Sequence, residues 1–156
     1  MKIKKLYISS DHAGFELKSI LVRSQIAKKY GFEFQDLGPE NSERVDYPDY
    51  SSKVVAAVLA DQGSSFGILI CGSGQGMAMS ANRHKGIRAA LVWSLETAVL
   101  AREHNNANVI SIGGRMHSEE FCLELVDKFI ATPFPGDERH VRRINLMAKY
   151  EDTGKI

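Results

Sequence analysis

Short apolar runs alternate with amphipathic stretches along the whole chain. Residues 6–8 (LYI) form a β-favouring run, and Asp11, His12, Ala13 and Gly14 follow it. In the next stretch Phe15, Leu17, Ile20, Leu21 and Ile26 are spaced to bury one side of a helix. Lys28 and Lys29 suit its last turn, and Gly31 can end it in the left-handed conformation. Residues 32–34 read as a second strand ending near Asp36, and residues 38–49, with Pro39 and Pro48, are polar and turn-like. A second helix is expected from about Asp49, with Val54, Val55, Val58 and Leu59 on its apolar side and Gly63 as its stop. Residues 66–71 (FGILIC) are a continuous apolar run bounded by glycines, which suits a strand covered on both faces.

A glycine-rich turn, residues 72–76, then opens another helix. Residues 89–93 read as a fourth strand, 95–104 as a helix and 109–112 as a fifth strand. Ser118 is placed to cap a further helix, with Glu119 and Glu120 in its first turn. A last amphipathic segment, roughly 137–150, carries Val141, Ile144, Met147 and Ala148 on one side. This alternation predicts an α/β fold: a single-domain, Rossmann-like three-layer sandwich with a five-stranded parallel sheet and a C-terminal helix. The domain is expected over 1–150, with 151–156 as a tail of no readable role. Parallel sheets of this kind bind ligands at the carboxyl ends of their strands. The segments Asp11-His12, Cys71 to Gly76, and Gly113 to Arg115 each follow an expected strand, so all three should line that edge.

Composition narrows the classes of function. A chain of 156 residues fits one domain, and 20 basic against 19 acidic residues leave a net charge of +1. That balance is unlike a surface built to hold a nucleic-acid backbone. The longest apolar runs, 54–60 and 66–71, are far below the roughly 18 residues of a membrane span. The opening MKIKKLYISSDH reaches Asp11 and His12 without the apolar stretch of a signal peptide. Cys71 and Cys122 form neither a disulfide framework nor a metal knuckle. A cytoplasmic domain without nucleic-acid, membrane or metal partners is expected.

The turn CGSGQGM can be tested against known phosphate-binding patterns. It is not a Walker A loop, because no Gly-Lys-Ser/Thr follows Gly72 at the required spacing. It is not a dinucleotide fingerprint, because the sixth position, 77, is Met rather than Gly, and the same Met excludes a C-x5-R phosphatase. What remains is a thiol at a strand end, followed by small residues whose N–H groups can hold an anion or a developing oxyanion. Thiolates are stabilised at helix N-termini and act there as nucleophile or base. Cys71 can equally be a small buried side chain ending a strand, whereas Cys122, among Phe121, Leu123 and Leu125, fits core packing. Asp11 could serve a ligand or only the turn into the first helix. His104 could do no more than complement a helix C-terminus. Arg139 and Arg143, four apart, share a helical face and could grip one phosphate, though with Arg142 they could also form a solvated basic face.

Taken together, SSDHAGFELK, VDYPDY, ILICGSGQGMAMSANR, GIRAALVWS, AREHNNANVISIGGR and DERHVRRINLM resemble the type B ribose-5-phosphate isomerase family. That family also includes galactose-6-phosphate isomerase subunits and allose-6-phosphate isomerases. The resemblance runs from residue 3 to about 150 and implies aldose–ketose isomerisation of a sugar phosphate without metal or organic cofactor. It implies that Cys71 moves the proton between two carbons through an enediolate held by Gly72, Ser73, Gly74, Gln75 and Gly76. It implies that His104 opens the furanose ring, with Asn105 beside it on the substrate. Asp11, His12, Tyr47 and Arg115 match further substrate contacts, and Arg139 and Arg143 match contacts to the phosphate.

Some family members use a glutamate in the turn instead of the cysteine; Cys71 places this chain with the cysteine form. Arg83 stands where lysine is usual. A five-carbon substrate is expected first, with allose 6-phosphate or galactose 6-phosphate as the six-carbon alternative and a non-catalytic phosphate-binding module as the remote one. Galactose-6-phosphate isomerase needs two different subunits, and the presence of both Cys71 and His104 in one chain favours a homo-oligomer. Helices of a parallel sheet run back to the edge opposite the strands' carboxyl ends. His104, ending the helix before the fifth strand, is therefore expected far from Cys71. The site should then be shared between subunits of a homodimer or a dimer of dimers.

Overall fold

The structure is a computed structural model that describes residues 3–61 and 63–156. The first two residues of the expected domain and Gln62 lie outside the described residues. Five strands, β1 (Lys5–Ser10), β2 (Glu33–Asp36), β3 (Ser65–Cys71), β4 (Ala89–Leu91) and β5 (Val109–Gly113), form one sheet in the order β2-β1-β3-β5-β4. Every neighbouring pair is parallel. Among the described residues seven helices connect and follow them: α1 (Phe15–Arg23), α2 (Ile26–Tyr30), α3 (Tyr47–Ala60), α4 (Gln75–Ala81), α5 (Leu95–Glu103), α6 (Glu119–Ala131) and α7 (Glu138–Thr153). The expected three-layer α/β sandwich is the fold.

The strand pleat sorts side chains to two cores. Leu6, Ile8, Phe66, Ile68, Ile70, Ile110 and Ile112 point to the face covered by α1, α2, α5 and α6, where Phe129, Leu125 and Cys122 are wholly buried. Tyr7, Leu69, Cys71 and Val109 point to the other face, against Val54, Val55 and Val58 of α3 and Met77 and Ala81 of α4. Burial pushes the Cys122 thiol pKa up, with Glu119 adding to it, so this cysteine is a packing residue.

Element boundaries depart from the sequence pattern where local chemistry competes with periodicity. The expected first helix is two helices, because Ser24 turns its hydroxyl onto the Leu21 carbonyl at 2.6 Å and the chain restarts at Ile26. The second helix begins at Tyr47 rather than Asp49, since Pro48 fits a first turn whose N–H groups need no intrahelical partner. β4 stops at Leu91, and Trp93 is left exposed as its N–H turns to Thr97 Oγ1 at 3.2 Å. Ser118 caps α6 as expected, accepting from the Phe121 N–H at 3.3 Å. α7 continues to Thr153, through residues expected to be a tail. There Glu151 accepts from the Gly86 N–H at 3.0 Å and Asp152 pairs with Lys85. Among the described residues no helix is long and apolar enough to cross a membrane.

Candidate active site

The carboxyl ends of β1, β3 and β5 meet at one edge, because Ser10 is in register with Ile70 and Cys71 with Gly113. The Asp11 N–H continues the ladder onto the Ile70 carbonyl at 3.0 Å. Its buried carboxylate accepts from the N–H groups of Ala13 at 2.9 Å and Gly14 at 3.1 Å, both on Oδ1. Asp11 therefore shapes the turn into α1, and Oδ2 carries no hydrogen bond among the described residues. The turn lies hard against β3: a Cβ on Gly14 would stand 2.5 Å from the Ile70 carbonyl oxygen. His12 is tied to the loop before α3, with Nδ1 3.3 Å from the Val45 carbonyl.

Cys71 ends β3 at 5% exposure, and its Sγ accepts a hydrogen bond from the Gly74 N–H at 3.2 Å. Gly74 can make this turn because its φ is +79°, and because a Cβ there would lie 2.7 Å from Leu91 and 2.8 Å from the Ile112 carbonyl carbon. Ser111 fixes the turn from beneath by donating to the Gly74 carbonyl at 2.6 Å. β5 closes the other side: the N–H groups of Gly114 and Arg115 reach the carbonyls of Cys71 and Gly72 at 2.8 and 3.1 Å. The Arg115 guanidinium passes beside Gly72, and the Tyr47 ring covers Gly76 so closely that a Cβ would stand 2.9 Å from it. Ser73 and Gln75 sit in the turn, Ser73 Oγ accepting weakly from the Gln75 N–H at 3.4 Å. Asp11, His12, Tyr47, Cys71, the turn residues and Arg115 are thus brought together. Tyr47, Gln75 and Arg115 are exposed, so this edge faces outward.

His104 and Asn105 are not part of that cluster. His104 caps the C-terminus of α5, five residues before Val109, which is paired with Gly67. The four steps from Val109 to Gly113 span about 13 Å of strand, so His104 lies at the opposite edge from Cys71. Its ring stacks on His140 of α7, with centroids 4.3 Å apart and planes 16° apart. His140 is the one buried residue of α7. Burial, then the charges of His104, Arg139 and Arg143, hold its pKa below the ordinary imidazole value, with Asp137 opposing. Arg139 and Arg143 are exposed, one turn apart on the same helix. Sequence patterning passed over His140, although its place between two arginines of DERHVRRINLM was the available signal.

The sequence pattern of the Ribose/Galactose Isomerase family matches residues 6–147. The chain belongs to that family. It is 44% identical over 150 residues to the ribose-5-phosphate isomerase B of Mycobacterium tuberculosis, covering 96% of this chain and 91% of that protein. The structure of a ribose 5-phosphate isomerase of Thermotoga maritima superposes with a TM-score of 0.87 at 46% identity, covering 94% of this chain and 98% of the other. That of ribose-5-phosphate isomerase B from Mycoplasma genitalium, which holds ribulose-5-phosphate, superposes with a TM-score of 0.90 at 40% identity, covering 98% and 99%.

Proposed function

We propose that this chain interconverts D-ribose 5-phosphate and D-ribulose 5-phosphate in the non-oxidative pentose phosphate pathway, with no metal or organic cofactor. The observation that carries the mechanism is the Cys71 sulfur held by the Gly74 N–H at the mouth of the glycine turn, with Arg115 beside Gly72 and Asp11 hydrogen-bonded to the end of the same strand. Relatives with this activity, at 44% identity over nearly the whole chain, support the substrate.

The cyclic sugar has no acidic C–H, so the furanose opens first. His104 transfers the proton that opens the ring, with Asn105 on the substrate. The Cys71 thiolate then removes the proton from C2, and the electron pair moves onto the C1 carbonyl oxygen to give a cis-enediolate. The turn N–H groups of residues 72–76 stabilise that oxyanion, which is worth about 10²–10³ in rate per donor. The O2 hydroxyl proton passes to O1 as the same sulfur returns its proton to C1, leaving a hydroxyl at C1 and the carbonyl at C2. One positioned base suffices for both carbons and contributes about 10²–10⁴. Arg139 and Arg143 grip the phosphate, while Asp11, His12, Tyr47 and Arg115 orient the sugar. Their binding energy holds the reacting carbons near the sulfur.

Because His104 and Cys71 lie at opposite edges of one sheet, a complete site takes them from two subunits. The enzyme acts as a homodimer, or a dimer of dimers, in which a neighbour's His104, Asn105 and α7 arginines face the Cys71 edge. The test is ketose formation from ribose 5-phosphate under excess chelator, with wild type and Cys71→Ala side by side. Turnover by the wild type alone is expected. A wild type inert on ribose 5-phosphate but active on allose or galactose 6-phosphate moves the assignment to six carbons, and binding without turnover of any leaves only a phosphate-binding module.

A further inference from the structure

Two arginines outside the candidate site grip the loop that carries His104 and Asn105. Arg88, just before β4, donates Nε to the carbonyls of Asn105 at 3.0 Å and Asn106 at 3.1 Å, and Nη2 to Asn106 again at 2.9 Å. Arg102, in the last turn of α5, donates Nη1 to Asn106 Oδ1 at 2.9 Å and to the Ala107 carbonyl, and Nε to the Thr132 carbonyl at 3.3 Å. Its guanidinium lies over the rings of Phe66 and Phe129, 4.7 and 5.7 Å from their centroids. Between the two cations Asn106 is bent to φ +44°, the one non-glycine with positive φ among the described residues. Asn108 completes the grip by accepting from the Arg88 N–H at 2.8 Å and donating to the Gly86 carbonyl at 2.9 Å.

This arrangement is costly for a loop that merely reverses direction. Neither arginine has a carboxylate within 4.0 Å among the described residues. Burial lowers the pKa of both, Arg102 to about 10 with the charge of Arg88 adding to the effect. A glycine after the helix would end it without burying any charge. Strain and desolvated charge persist where the surrounding structure over-determines a geometry that something else requires.

We infer that Arg88 and Arg102 are positioning residues that hold His104 and Asn105 in the pose needed for ring opening, an inference that rests on the isomerase reading above. The fork of Arg88 bridges two successive carbonyls, and the chain leaving His104 can neither rotate nor slide while both are held. On its other side His104 is fixed by the stack on His140. The acid that must reach a neighbouring subunit is thus preset by its own chain.

The test is Arg88→Lys in the full-length protein. It keeps the charge, but one ammonium cannot reproduce the fork. Two reactions separate the steps. Ribose 5-phosphate enters as a ring, whereas ribulose 5-phosphate is acyclic, because the C5 hydroxyl that would close its ring carries the phosphate. Deuterium wash-in from D2O at C1 of ribulose 5-phosphate therefore reads proton transfer at Cys71 without ring opening. Arg88→Lys is expected to lower kcat on ribose 5-phosphate about tenfold, a misplaced group being able to cost up to about 10². Wash-in should stay within about twofold of wild type and the thermal midpoint should hold. Asn106→Gly, which relieves the positive φ but removes the Oδ1 acceptor of Arg102, should give the same pattern at about threefold. Equal loss of both reactions together with a lower midpoint would mean a structural role only, and loss of neither would mean no role; either overturns the inference. If wild type is inert on ribose 5-phosphate, or His104→Ala retains full turnover, the underlying reading fails first, and Arg88→Lys is not needed to see it.

Discussion

The two edges of this sheet are built in different ways. At the carboxyl edge Asp11, Gly114 and Arg115 hang directly on backbone hydrogen bonds at the strand ends: Asp11 on Ile70, Gly114 on Cys71, Arg115 on Gly72. Cys71 there is nearly inaccessible, and its turn is fixed by Gly74 φ and by Ser111. At the amino edge the groups sit on the end of a helix, a strained loop and an almost unburied last helix, held by side chains: Arg88, Arg102 and the His104–His140 stack. Backbone ladders need no particular side chain, so the first edge is rigid through topology. The second is rigid only through a few residues.

The sharpest way to break the comparison is to divide the edges between subunits. Cys71→Ala and His104→Ala should each lose about 10²–10⁴ in turnover on ribose 5-phosphate. Mixed one to one and re-associated, half of the dimers are hybrids and one site in each hybrid is intact. About a quarter of wild-type activity should return. No recovery in verified hybrids means that each chain completes its own site.

Removing the proposed phosphate grip comes next. Arg139→Ala or Arg143→Ala should raise KM for ribose 5-phosphate roughly tenfold or more, since a hydrogen bond to a charged group is worth about 1.5–3 kcal/mol. Steady-state kinetics with KM unmoved would detach α7 from the substrate.

Gly74→Ala tests the rigid edge. A left-handed φ and a Cβ within 2.8 Å of the Ile112 backbone should destabilise the fold by about 1–3 kcal/mol, read by urea unfolding. The same change at Gly136, where φ is +77° but nothing lies within 4 Å, should cost less.

The smallest effect concerns His140. Its folded-state pKa lies below the unfolded value, so the unfolded chain binds the extra proton first and stability falls as the pH drops below about 6.5. His104, Arg139 and Arg143 deepen that loss and Asp137 opposes it. In His140→Phe, which keeps a ring to stack on, the thermal midpoint should become flatter between about pH 7 and 5. An unchanged slope would mean that His140 does not titrate with unfolding.

Local pattern made much of this legible. The runs at 6–8, 66–71 and 109–112 are strands because continuous apolar β-formers need cover on both faces. The segments after them meet at one edge because parallel strands place all their carboxyl ends together. Even the separation of His104 from Cys71 follows from connection rules alone.

What stayed hidden depends on partners distant in the chain. The break at Ser24 is a contest between a hydroxyl and the next helical turn. The helical run of α7 to Thr153 rests on Glu151 and Asp152 meeting Gly86 and Lys85, some 65 residues away. His140 and Arg88 gain meaning only from what they touch. Amino-acid order, through periodicity and turn chemistry, determines the elements, their parallel sequence and the chemistry carried at each strand end. Tertiary structure alone decides which side chains restrain which, because a stacked ring or a forked guanidinium acts through space and leaves no period in the sequence.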